Sequence, residues 1–186
     1  MSYYFCAPTN THQLKVYAEN IRNLFNCKSL KFPIVDVLES MQNNENFLDF
    51  EYQILDDNNK IFGEGELAKY DFLTNTLFIK ESQFDGACCD DPRCRFTLTH
   101  ELCHFFLMTV TGRHPKESEE KPQAYKDPEW QANTLAGYLL VPPAETKDMS
   151  VEEIENNCCV SPECATYATF KRIKEMKKEK ERKEQL

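Results

Sequence analysis

His100-Glu101-Leu102-Cys103-His104 reads His-Glu-x-x-His. On a helix, residues four apart share a face, so both imidazoles can grip one metal ion. Glu101 sits one step round from His100, close enough to take a proton from the water that such an ion would activate. Metal-assisted hydrolysis with a carboxylate base uses this spacing, and zinc is the usual ion. The chain holds four histidines, and two of them are here. The bland alternative is an amphipathic helix whose polar stripe happens to carry them.

Two histidines do not complete such a site, because a catalytic zinc takes three protein ligands and leaves one position open. The leading candidate for the third is Glu129, in Glu129-Trp130-Gln131-Ala132-Asn133. Ala132 and Ala136 fall on its face of a predicted helix, and such small residues let two helices approach closely. Asn133 lies one turn on and could hydrogen-bond a ligand histidine, fixing its ring. The competing reading of Glu129 is a first-turn acid favoured by the helix dipole. Three residues stay open as donors to the oxyanion of a tetrahedral intermediate: His114, Tyr125 and Tyr138. His114, beside Gly112 and Arg113 in a polar loop, reads more simply as a surface histidine.

The elements that must position these residues are legible in outline. Residues 10–27 repeat Leu14, Tyr17, Ile21, Leu24 and Phe25 at helical spacing. Pro33 opens a second helix with Ile34, Val35, Val37, Leu38 and Met41 as its apolar set, ended by the Asn-rich stretch 42–46. Phe47 to Ile54 reads as a strand, Asp56 to Asn59 as a turn, and 66–72 and 75–80 as short strands. Asp91-Pro92 and Asp127-Pro128 each pair a capping acid with a proline suited to a first helical position. The first starts the helix of His100 and His104; the second starts one over about 128–141, stopped by Pro142-Pro143. Between them, Lys116 to Lys121 reads as a charged loop. A last helix covers about 161–180. Helices, then a small, mostly antiparallel sheet, then the site helices give an α+β fold. Residues 1–170 read as one domain and 171–186 as a charged helical tail.

The chain has 186 residues, 41% of them apolar, and a net charge of -9. That suits one folded domain and disfavours general nucleic-acid binding, because phosphate contacts need Lys and Arg. An acidic body suits a basic protein partner. No basic-then-apolar leader and no membrane-spanning run is visible, so a cytoplasmic protein is expected. Reduced thiols are then the default for its nine cysteines. Two segments, Cys88-Cys89-Asp90-Asp91-Pro92-Arg93-Cys94 and Cys158-Cys159-Val160-Ser161-Pro162-Glu163-Cys164, share the pattern Cys-Cys-x-x-Pro-x-Cys. A second metal site or thiol switch is one reading; unlinked reduced thiols are the other.

Arg95-Phe96-Thr97-Leu98-Thr99-His100-Glu101-Leu102-Cys103-His104, then Glu129-x-x-Ala132-Asn133-x-x-Ala136 and Leu139-Leu140-Val141-Pro142, resembles the ImmA/IrrE family of metallopeptidases. Pro33 to Val37, Thr76 to Lys80 and Cys159 to Ser161 resemble further pieces of that family. The resemblance implies a zincin-like helical core and a cytosolic zinc endopeptidase, with manganese a weaker option. It makes His100, His104 and Glu129 the ligands and Glu101 the base. It implies a helix-turn-helix transcriptional repressor as substrate, cut to relieve repression of a mobile element or of stress genes. Direct nucleic-acid or membrane binding is not expected, and no helix-turn-helix segment is evident, as in stand-alone peptidases. The family often has Gly at Cys103 and a His near Met108; neither departure touches the four essential positions. The alternative function is a non-proteolytic regulator that binds and displaces a repressor, against which the intact Glu101 argues.

Overall fold

The computed structural model describes residues 3–47, 50–111 and 115–184. The chain runs β1 (Tyr3–Phe5), α1 (Thr11–Leu24), α2 (Ile34–Gln42), β2 (Glu51–Leu55), β3 (Ala68–Asp71) and β4 (Thr76–Lys80). It continues with α3 (Glu81–Cys88), α4 (Pro92–Thr111), β5 (Lys116–Ser118), α5 (Pro128–Leu140), α6 (Val151–Cys158) and α7 (Pro162–Glu184). The α+β architecture is as expected. One sheet has the order β2-β4-β3, with β4 parallel to β2 and antiparallel to β3. The other is the antiparallel pair β1-β5. No helix is long and apolar enough to cross a membrane among the described residues.

Local chemistry explains most boundaries. A capping box starts α1: the Asn10 side chain accepts the Gln13 N–H while the Gln13 side chain accepts the Asn10 N–H. Leu14, Ala18 and Ile21 then face the core, joined by Ile34, Val37, Leu38 and Met41 of α2. Asp91 and Asp127 cap α4 and α5, with Pro92 and Pro128 first in each helix. The core is filled by Leu98 and Leu102 from α4, Leu135 and Leu139 from α5, and Leu77 and Ile79 from β4, all fully buried. The contact between α4 and α5 is the most extensive between any two elements.

Several elements differ from expectation. The strand expected over 47–54 begins later, at Glu51, and Phe47 closes a 3-10 turn over Glu45–Phe47; residues 48 and 49 lie outside the described residues. The charged stretch expected as a loop from Lys116 supplies β5, because its backbone pairs with the distant β1 rather than through any strand-forming composition. Two eight-residue helices, α3 and α6, were not expected. The closing helix continues unbroken past 170 to Glu184.

The repeated cysteine pattern is a helix corner. Cys88 and Cys158 end α3 and α6, Cys89 and Cys159 cap those ends, and Pro92 and Pro162 open α4 and α7. Asp91 Oδ1 accepts the Cys94 N–H at 2.9 Å, and Ser161 Oγ accepts the Cys164 N–H at 3.2 Å. The two corners touch: Cys159 Sγ donates to the Asp90 carbonyl at 3.2 Å. Arg95, 2% exposed, stitches them together. Its Nε donates to the Cys159 carbonyl, its Nη2 donates to the Phe32 carbonyl at 2.7 Å, and its Nη1 lies 3.6 Å from Asp90. Burial pushes the Cys94, Cys158 and Cys164 thiols up to about 11, so they stay protonated near neutral pH. Neither motif gathers its three thiols into a metal-binding group among the described residues.

Arg95→Met keeps the length of the side chain but strands two carbonyls. It should cost about 2–4 kcal/mol, read as a lower urea midpoint at constant slope. Lys31 pairs with the same Asp90 from an exposed position. Lys31→Ala should shift stability by less than about 0.5 kcal/mol.

Candidate metal centre

One face of α4 is apolar and buried, carrying Leu98, Leu102, Cys103 and Phe106. That forces His100 and His104 onto the opposite face, towards a cleft of about 1060 Å³ between α4, α5, β3 and the β1-β5 pair. On α5, Ala132 and Ala136 are fully buried, and such small side chains let its backbone come close to α4. Gln131 pins the start of α5 by donating from Nε2 to the carbonyls of Ala7 and Tyr125, both at 2.8 Å. Glu129 is thereby held in the first turn of α5, where the helix dipole favours a carboxylate.

His100 Nε2 lies 3.2 Å from His104 Nε2 and 3.2 Å from Glu129 Oε2, and His104 Nε2 lies 3.4 Å from Glu129 Oε1. Donors about 2.0–2.1 Å from a tetrahedral ion stand about 3.3 Å apart, so these three atoms fit a zinc-like ion. His100 Nδ1 is 3.0 Å from Asn133 Oδ1. The amide carbonyl can take the Nδ1–H, so Nε2 is the ring atom turned to the other donors. Glu129 is 65% exposed, so the donor set opens onto the cleft rather than being sealed within the core.

Glu101 stands differently. Its Oε2 accepts the backbone N–H of Tyr70 at 2.9 Å, and its Oε1 is 3.9 Å from His100 Nε2. The N–H comes from β3, the edge strand of the three-stranded sheet. Glu101 falls within the one metal-competent cluster of the described residues, with His100 and His104. Glu129, however, approaches both imidazoles more closely, and Glu101 is tied back by the strand.

The titration behaviour follows this geometry. Burial pushes the Glu101 carboxyl up, opposed by the charge of His100 and the Tyr70 N–H. Glu129 is held below the usual carboxylate range, first by its hydrogen bond with His100. Burial pulls His100 down, but the Glu129 hydrogen bond and the charges of Glu101 and Glu129 outweigh it, so its pKa is raised. Burial, and then the charge of His100, push His104 down to about 4. The two imidazoles are thereby pushed apart, with the higher proton affinity at His100 and the lower at His104.

Of the other sequence-predicted residues, Asn133 meets His100 as expected. His114 lies outside the described residues. Neither Tyr125 nor Tyr138 reaches the cleft. Tyr138 is nine residues beyond Glu129, which at about 100° per residue turns it to the far side of α5. There it lines a separate cavity, with the Lys171 ammonium 4.1 Å from its ring centre. Cys103 is fully buried and its thiol is pushed far up by burial, so it is a packing residue. The Tyr70 N–H was missed, since a main-chain donor leaves no mark in the sequence.

Residues 58–156 match the family model described as Peptidase M78, IrrE N-terminal-like domain. No curated protein matches the chain with significant similarity.

Asn133→Ala should leave the His100 ring free to turn and lower zinc affinity about 10–100-fold, measured by competition with a chromogenic chelator. Because the His100 pKa is raised in the metal-free protein, zinc must displace its proton at pH values below that pKa. Calorimetric titrations in buffers of different ionisation enthalpy should show proton release that declines as pH rises. Affinity should fall as pH is lowered.

Proposed function

The chain belongs to the Peptidase M78 family, and on that premise we propose that it is a zinc-dependent endopeptidase with His100, His104 and Glu129 as ligands and Glu101 as base. The observation that carries this is the division of labour between the two glutamates. Glu129 meets both imidazole nitrogens within 3.4 Å, while Glu101 is held off by the Tyr70 N–H. Two nitrogens and one carboxylate oxygen favour zinc over manganese. When bound, the ion supplies Lewis-acid polarisation of the scissile carbonyl and acidifies the attacking water.

Glu101 takes the proton of that water at Oε1, because Oε2 is occupied by the strand. It then hands the proton to the leaving amine. Its raised pKa suits both steps, since a base that is too weak an acid or too strong a one fails at one of them. Asn133 keeps His100 in the tautomer that offers Nε2. Ala68, Lys69 and Tyr70 of β3 line the cleft, and the edge of that strand away from β4 offers backbone groups to a peptide in extended form.

The substrate we assign is a basic helix-turn-helix repressor in the cytoplasm, cleaved to relieve repression of a mobile element or of stress genes. The net charge of -9 supports a basic partner, as does the family resemblance of the 95–142 segment. Incubation with a helix-turn-helix repressor encoded beside this chain should give discrete fragments on a gel, and none with chelator. Glu101→Gln should bind zinc as wild type but cut about 10²–10⁴-fold more slowly. Glu129→Ala should lose zinc. Release of the repressor from DNA by Glu101→Gln, undiminished and without fragments, would replace this reading with the non-proteolytic one.

A further inference from the structure

A second cavity, of about 600 Å³, lies between α4, α5, α6 and α7. Its wall is largely carbon, from residues such as Trp130, Val141, Ile154, Val160 and Ala168. It is not remote from the chemistry. Leu67, Phe96, Thr97 and Asn133 line both this cavity and the catalytic cleft, so the two meet on the His100 side of the donor set. The Asn133 side chain that borders both is the one bonded to His100.

Gly137 lines the same cavity, in the interior of α5. Glycine is the poorest helix former after proline, so a glycine inside a helix calls for a reason. The usual reasons are absent at Gly137. Its φ is not positive, and a Cβ built on it meets no heavy atom within 4 Å. Gly86 shows the contrast: a Cβ there would come within 2.5 Å of Cys94 Sγ, so packing demands glycine. Nothing in the fold demands Gly137. What its missing side chain provides is empty space in the cavity.

We infer that this cavity is the subsite that receives a bulky apolar side chain of the peptide substrate beside the scissile bond, with Gly137 as its floor. The inference rests on the peptidase reading above. A pocket with carbon walls gains from burying apolar surface and penalises a charged side chain. The lining also carries charge: after the Glu163 backbone N–H, Arg93 lies close enough to that carboxylate to help lower its pKa, and the buried Arg172 Nε has no partner among the described residues. Arg172 donates to the Thr146 and Met149 carbonyls, and the Lys171 ammonium sits over the Tyr138 ring. At about 600 Å³ the cavity is too roomy to select one side chain by shape. It therefore selects a class, with Leu, Met, Phe and Trp accepted alike and Ala disfavoured.

The test uses zinc-loaded wild type, Gly137→Ala and Gly137→Leu. Trp130 is the single tryptophan and lines the cavity, so its emission reports occupancy without requiring turnover. Acetyl-Ala-Leu-Ala-amide and acetyl-Ala-Phe-Ala-amide should change that emission saturably in wild type. Acetyl-Ala-Ala-Ala-amide should bind at least about tenfold more weakly, and Gly137→Leu should lose the distinction. Gly137→Ala should fall between, and keeps the test decisive if the leucine variant folds poorly. In parallel, a peptide mixture from a digested proteome is incubated with each protein and the cut bonds are mapped by mass spectrometry. Wild type should place large apolar residues at one fixed position beside the bond, and Gly137→Leu should shift that position to small residues. Cleavage by wild type without such a preference, or the same bonds cut by Gly137→Leu at the wild-type rate, overturns the inference and leaves the peptidase reading standing. Equal response of Trp130 to the leucine and alanine peptides also overturns it. If wild type cuts nothing while Trp130 still separates those peptides, the peptidase reading fails and the apolar binding site survives.

Discussion

Three donor atoms from two helices must meet at about 3.3 Å from one another if one small ion is to be held. That distance leaves little tolerance in the separation of α4 and α5, and the rest of the fold is arranged around it. Ala132 and Ala136 let the helices approach, with no bulky side chain at those positions. Arg22 of α1 reaches across to the Leu139 carbonyl at 2.7 Å, so α5 is held from its far end as well as at the Gln131 end. Arg95 performs the same service for α4, binding its first turns to the Phe32 carbonyl and to the α6-α7 corner. Each brace is a buried guanidinium or amide bonded to main-chain carbonyls, which costs much to disturb because the partners cannot turn to water. The site is thus fixed from outside its own cleft.

Within that frame the same side-chain type performs two tasks. Glu101 and Glu129 both carry carboxylates within 4 Å of the His100 ring nitrogen. Their environments push them in opposite directions. Glu129 sits at an exposed helix start beside two imidazoles, which favours the ionised form a ligand needs. Glu101 is buried against β3, which raises its affinity for a proton. Separation of two titratable groups by environment would let one site supply both a ligand and a base, as proposed above.

Legibility in the sequence followed the range of the interactions. The two site helices were readable because proline, a capping acid and four-residue spacing are local signals: Asp91-Pro92, Asp127-Pro128, His100 and His104. Glu129 and Asn133 were readable because a helix converts spacing into a shared face. The features that escaped depend on distant partners. β5 is a strand only because β1 lies beside it. The Tyr70 N–H acts through main chain. The helix α6 had a readable start, since Ser150 and Glu153 form a capping box, but its eight residues carry too few turns for periodicity to stand out. The cysteine repeat was visible and its meaning was not. Its prolines and capping residues encode a corner, and the thiols drew attention away from them.

Register on α5 connects chemistry to selectivity. Glu129, Asn133 and Gly137 succeed one another at intervals of four, so they form one stripe along the helix. The first meets the imidazoles, the second fixes the His100 ring and borders both spaces, and the third floors the apolar cavity. On α4, Phe96, His100 and His104 repeat the same interval, with the Phe96 ring 6.3 Å from that of His100. From Glu129 to Gly137 the rise along the helix is about 12 Å. On the subsite reading, a short side chain entering beside Asn133 would leave the floor unreached. A long apolar one would pass Asn133 and approach it. On that reading the stripe, with Gly137 at its end, ties the size of the accepted side chain to the position of the donor set.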